Sequence, residues 1–247
     1  MSKNRTIKRM SILWMLPIIA VLMASCNTDG EYVEHNGTIC HSYWTFSFGT
    51  QYHELPQVNP LTFKSIKNWL GHDNEHVYFK DKLIPGADPN TIKADKSPMC
   101  HDSHDYYYMG TPLKVNNVRT FAVIEQHEDD IWALDGKYAY YDTIRIEPRD
   151  LSTFKVQCWN CAVDSEHVYR YGKILPEADP ATYVEEWKGF YSRDKNHIWY
   201  MGDLMEDIDA ATFTVDDNGP HDKHGHIHNG KRISDEEWKQ LSKEDRN

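Results

Sequence analysis

Four histidines, His221, His224, His226 and His228, crowd one end of this chain, and a Cys158-Trp159-Asn160-Cys161 tetrapeptide precedes them. Imidazoles suit borderline metals, and strand alternation would turn His224, His226 and His228 to one side. These three are the metal candidates. A C-x-x-C pair can be redox-active or half of a zinc site, but neither a thioredoxin-like βαβ setting nor a second C-x-x-C accompanies this one. Cys40, Cys100, Cys158 and Cys161 therefore read first as disulfide candidates, with three pairings that the sequence leaves open. Asp73, Asp102, Asp135, Asp164, Asp194 and Asp222 invite a calcium reading of the kind seen in repeat arrays. Their surroundings lack the required Gly-rich spacing, and turn capping already accounts for acids placed there. The expectation is no metal and no cofactor.

Five residues after an Asp of that series stands an aromatic in five cases: Tyr78, Tyr107, Tyr140, Tyr169 and Trp199. Stacked units would align them in a column. Facing inward the column is core; facing outward it is a platform for sugar rings or a peptide, since Tyr and Trp combine area with a polar tip. Enzyme motifs are missing: there is no G-x-S-x-G, H-E-x-x-H or Walker loop, and no Ser or Cys lies beside a His in a recognisable local pattern. The chain reads as a binding or scaffolding module, with a hydrolase of dispersed site as the distant alternative.

The elements that position these residues repeat. Thr62, Thr91, Thr120, Thr153, Thr182 and Thr212 recur about every 30 residues, each but Thr91 followed by Phe or Tyr, and Asn59, Asp88, Asn117, Asp150, Asp179 and Asp209 stand three residues before them. The six aspartates keep a second register with nearly the same step. In Asp88-Pro89-Asn90-Thr91 the acid can accept from backbone N–H groups two or three residues on, and the proline presets a helical turn. Asp194-Lys195-Asn196-His197 starts a turn followed by the strand-like Ile198-Trp199-Tyr200. A second tight turn recurs at Lys80-Asp81, Tyr171-Gly172, Met201-Gly202 and Asn229-Gly230. The prediction is an all-β fold: six meander repeats of about three strands each over residues 55–233, stacked as an array with propeller-like closure left open.

Asp194-Lys195-Asn196-His197-Ile198-Trp199-Tyr200, with looser copies at Asp73 to Phe79 and Asp164 to Tyr169, resembles the DKNYY family of bacterial proteins, as does Ala-Asp-Pro-x-Thr at Ala87 and Ala178. The resemblance covers residues 55–233 and implies a repeat architecture. It implies no activity or catalytic residue. Tyr106 and Ala139 depart from the branched residue of the motif, and Gly225 adds a residue before His226, which then falls in the slot of His76, His167 and His197.

Lys3, Arg5, Lys8 and Arg9 precede the apolar stretch Ile12 to Ala24, and Met23-Ala24-Ser25-Cys26 resembles a lipobox. The stretch is shorter than the roughly 20 residues that span a bilayer, so residues 1–25 are expected to be a removed signal peptide and Cys26 to carry the lipid. Asn27 lacks the Asp of an inner-membrane retention signal, which points to the outer membrane. Loss of residues 1–25 removes four basic and no acidic residues, taking the net charge from −11 to −15. Such acidity disfavours nucleic acid. The expected partners are the membrane, through the anchor, and a protein or glycan ligand; an immunity-type protein neutralising a basic toxin is the rival. Residues 26–54 read as tether and N-terminal cap, with Glu31 to Asn36 as tether and Trp44 to Phe48 as a covering strand. Ser234 and Glu237 form a capping-box pattern, so a C-terminal helix is expected over residues 234–247.

Overall fold

The computed structural model describes residues 30–186, 190–216 and 219–241. The proposed signal peptide and Cys26 lie outside the described residues. The chain divides into two compact units, Met1–Pro112 and Leu113–Asn247. Both are built of small antiparallel meanders, none of which closes into a barrel.

The first unit holds three sheets. The first is Glu31–His35, Thr38–Thr45 and Gly49–Glu54; the second is Lys64–Lys67, Leu70–His72, Val77–Phe79 and Lys82–Leu83; the third is Lys93–Ala94, Met99–His101, Tyr106–Tyr108 and Thr111–Pro112. The second unit holds four. Its fourth sheet is Ala122–His127, Asp130–Leu134, Ala139–Tyr141 and Ile144–Ile146, and its fifth is Lys155–Cys158, Cys161–Val163, Val168–Arg170 and Lys173–Ile174. The sixth is Val184–Glu186, Tyr191–Arg193, Ile198–Tyr200 and Asp203–Leu204, and the seventh Thr214–Asp216, Gly219–Asp222, Gly225–His228 and Lys231–Arg232.

Sheets two to seven are the six repeats, each with four strands where the sequence predicted about three. The extra strand is two to three residues long, too short to display alternation. The segment Glu31 to Asn36, expected to be tether, is instead an edge strand and the start of a hairpin turn: Asn36 and Gly37 both take positive φ, 53° and 81°, the type I′ pattern that suits a right-twisted ribbon. The strand expected at Trp44 to Phe48 ends at Thr45, and Phe46 and Phe48 lie exposed in the following turn.

Within each unit, core clusters are shared by two consecutive sheets. Tyr78 packs with Ile39 and Leu55 of the first sheet, whereas its strand neighbours Val77 and Phe79 pack with Cys100 and Tyr107 of the third. The same division recurs in the second unit: Tyr169 joins the fourth sheet's Trp132 and Tyr141, while Val168 joins the sixth sheet's Trp199. Alternation along one short strand thus sends one side chain backward and the next forward. Buried on both faces, such a sheet has no separate core beneath it, and within each unit consecutive repeats complete one another's core. The helix Asp235–Gln240 follows the seventh sheet, with Ser234 and Glu237 forming the reciprocal capping box and Trp238 buried. Residues 242–247 of the expected helix lie outside the described residues.

Candidate functional site

The two sequence registers are the halves of one hydrogen-bonded bracket. Asp164 Oδ1 accepts from the Glu166 and His167 amides at 2.8 and 2.7 Å, and Oδ2 accepts from the Arg149 amide and the Tyr169 hydroxyl, both at 2.7 Å. One buried carboxylate therefore closes its own turn, holds the preceding loop and fixes the aromatic. Asp73 collects the Glu75, His76 and Asn59 amides and the Tyr78 hydroxyl, and Asp102 those of His104, Asp105, Asp88 and Tyr107. Asp135 does the same with Lys137, Tyr138, Asn116 and Tyr140. Asp194 takes the amides of Asn196, His197 and Asp179, but Trp199 stands in the tyrosine slot, and its Nε1 is buried without a hydrogen-bond partner. In the last repeat Ile227 occupies that slot, so Gly225 is no insertion and His226 pairs as Val77 does, not in the slot of His76; Arg232 donates to both oxygens of Asp222 at 2.7 and 2.8 Å, beside the His224 and Asp209 amides. The threonines close the bracket's other side: Ser103, Ser165, Lys195 and Lys223, each following a buried Asp, donate their amides to Thr91, Thr153, Thr182 and Thr212.

Burial opposes ionisation of Asp73, Asp102, Asp135, Asp164 and Asp194, yet the converging donors outweigh it and hold each carboxyl below its usual pKa. For Asp222 the Arg232 guanidinium is the largest cause of the same shift.

The five aromatics are buried in both units. Tyr78, Tyr107, Tyr140, Tyr169 and Trp199 are 0 to 2 % exposed, the inward-facing alternative of the sequence reading, and their faces are closed to a sugar ring. The histidine reading is corrected. His224 lies in the turn before the strand Gly225–His228 and so does not share a strand face with His226 and His228, while His226 stacks on Trp238 with ring centroids 4.3 Å apart. Among the described residues, the one group of side chains placed to share a metal ion is Cys158, Cys161 and Glu185. Cys158 and Cys161 are disulfide-bonded across a hairpin, with Cα atoms 5.0 Å apart, whereas Cys40 and Cys100 are buried thiols. Burial, with Asp95 and Asp102 nearby, pushes the Cys100 thiol up to about 12.

The surface offers a different site. The tight turn between the last two strands of every repeat begins with a residue in the left-handed region: Lys80, Met109, Asp142, Tyr171, Met201 and Asn229, at φ of 54°, 47°, 50°, 49°, 52° and 47°. Asn and Asp tolerate this conformation, but Tyr and Met are strained there. In the second unit the turns of the fourth, fifth and sixth sheets line a groove of about 550 Å³ whose walls include Tyr141, Ile144, Arg170, Tyr171, Ile174 and Met201. Ile174, Tyr171 and Met201 are 54, 39 and 57 % exposed. Asp142, Lys173 and Asp203 add charge of both signs to the lining. Gly172 lets the turns approach, since a Cβ there would lie 3.0 Å from Tyr141 Cβ. Trp159 extends the apolar wall: its ring lies 5.6 Å from that of Tyr171, which also meets Tyr141 at 6.1 Å. Sequence reasoning marked the Tyr171 and Met201 turns but not that of Asp142, and missed the groove; the signal was a Tyr and a Met in slots that Asn fills at position 229.

The architecture is a series of four-stranded meanders, each braced from within by a buried aspartate. The chain belongs to the DKNYY family, whose profile matches residues 32–203. That match begins at the first sheet, which the sequence reading left outside the family region, and stops before the seventh, which it included. No curated protein and no solved structure matches the chain.

Proposed function

We propose that this DKNYY protein is a binding module of the bacterial cell envelope, anchored by a lipid on Cys26, and that the groove of the second unit receives an extended polypeptide. The observation that carries this reading is the side-chain choice at the turns. Backbone strain of this kind costs on the order of 1 to 3 kcal/mol and persists where something else requires the residue. Tyr171 and Met201 both stand at such positions, half exposed, on the same groove. Met adapts to varied apolar partners, and a rigid aromatic gives contact area at low entropic cost. A net charge of −11 favours a partner whose flanks are basic.

Tyr171→Asn and Met201→Asn test it. Asn relieves the strain, so both variants should be as stable as the parent or more so, while a polypeptide captured from envelope extract by the full chain should be lost. Undiminished capture by both stable variants, or capture of glycan in place of polypeptide, would overturn the proposal.

A further inference from the structure

Cys158 and Cys161 stand opposite each other at the end of the hairpin formed by Lys155–Cys158 and Cys161–Val163. Their surroundings are unlike those of an inert crosslink. From the neighbouring sheet, Glu185 brings a carboxylate oxygen within 4.8 Å of both sulfurs. Its Oε1 accepts from Arg170 at 2.6 Å and from the Tyr183 hydroxyl at 2.7 Å, while Oε2 is buried with no hydrogen-bond partner. The two sulfurs differ as well. Cys161 is fully buried, Cys158 is partly exposed, and Asn160 Oδ1 lies 2.9 Å from Cys158 Sγ, where a reduced thiol would donate to it.

We propose that this hairpin is a thiol–disulfide exchange site in which Cys158 is the sulfur that partners attack, Cys161 is the resolving thiol, and Glu185 accepts and returns the Cys161 proton. In the oxidising direction a disulfide-bearing partner first forms a mixed disulfide with Cys158, releasing one thiol. Glu185 then takes the proton from Cys161, whose thiolate attacks Cys158 Sγ. The Cys158–partner S–S bond breaks, the partner's second sulfur leaves as a thiolate and is protonated by water, and Glu185 gives its proton to solvent. Two electrons pass from the cysteine pair to the partner disulfide, which ends as two thiols. Reduction by a dithiol runs the same steps backward. Burial is the largest influence on Glu185 and raises its pKa, offset by Tyr183 and Arg170, which brings it closer to that of a thiol and eases transfer in either direction. Among the described residues, Arg170, Tyr183 and the two cysteines are the titratable groups that face it. The site needs no ligand in the groove.

The test uses the reduced full chain, with oxidised glutathione and an oxidised two-cysteine peptide run in parallel to separate small from polypeptide partners. Cys161→Ser should accumulate a mixed disulfide at Cys158, whereas Cys158→Ser should react at least about tenfold more slowly, because the buried sulfur is the harder one to reach. Glu185→Gln should slow closure of the mixed disulfide by about a hundredfold near neutral pH and flatten its pH profile, while glutathionylation of Cys158 in a Glu185→Gln, Cys161→Ser double variant stays at the Cys161→Ser rate. The proposal fails if the two cysteines react equally, if the folded protein's disulfide resists dithiol until the chain unfolds, or if Glu185→Gln closes at the parent rate. Should Glu185→Gln not fold, the difference between the two serine variants decides the matter.

Discussion

Replacing Asp164 by Asn changes one atom in the bracket and should expose its energetics. Oδ1 can still accept from the Glu166 and His167 amides, but an NH2 group now stands where Oδ2 received the Arg149 amide and the Tyr169 hydroxyl. The hydroxyl can rotate and accept instead; the Arg149 amide loses its acceptor, which costs about 1 to 3 kcal/mol. Loss of charge assistance on the two retained bonds adds roughly 1 kcal/mol, so the variant should be less stable by about 2 to 4 kcal/mol. That exceeds the roughly 1 kcal/mol typical of an exposed turn cap. Tyr169→Phe removes the hydroxyl alone and should cost about 1.5 to 3 kcal/mol, and the double variant should cost clearly less than the sum. The sixth sheet supplies the control. Trp199 makes no hydrogen bond to Asp194, so Asp194→Asn and Trp199→Phe should be close to additive. Denaturant midpoints followed by circular dichroism measure all six variants. Asp164→Asn within about 0.5 kcal/mol of the parent, or equal coupling in the two repeats, would refute the bracket.

Acid should unfold the protein cooperatively. All six aspartates have folded-state pKa values below the unfolded value, so each contributes stability that is present above the ordinary carboxyl pKa and lost as pH falls through its folded pKa; a melting temperature that stays level from pH 5 down to pH 2 would contradict this. The same melting temperature should be indifferent to calcium and chelator, and a strong calcium-dependent rise would show the acids to be ligands. Ser234→Ala should loosen the terminal helix by about 1 kcal/mol and raise the exposure of Trp238, read by fluorescence quenching. Cys26→Ala should leave the chain unlipidated, and persistent detergent-phase partitioning would defeat the anchor.

Much of the architecture was legible because the bracket needs particular residues at particular distances. Asx, Thr and Asp recur since each donates or accepts a bond that only its chemistry supplies. The first sheet was legible only in part, as a strand set near Trp44, because its hairpins carry neither the Thr nor the Asp landmark; Asn36-Gly37 was the sign of its first turn. The inward facing of Tyr78 and Tyr169 could not be read either. A strand buried on both faces shows no alternation, so sequence has no means of telling a wall from a platform. The groove is written in three turns from three repeats, and becomes visible only once they are stacked.

Residue-resolved hydrogen exchange tests the shared bracket most directly. The amides of Asn59, Asp88, Asn116, Arg149, Asp179 and Asp209 lie in loops, yet each donates to a buried Asp of its own repeat. The amides of Leu61, Asn90, Ser152 and Ala181, bonded to half-buried or exposed Asx side chains, provide the comparison. The first set should exchange slowly and in step with the central strands of each sheet, and the second should exchange fast. Equal, rapid exchange in both sets would mean that the buried aspartates do not hold the loops and that the bracket does not brace its repeat.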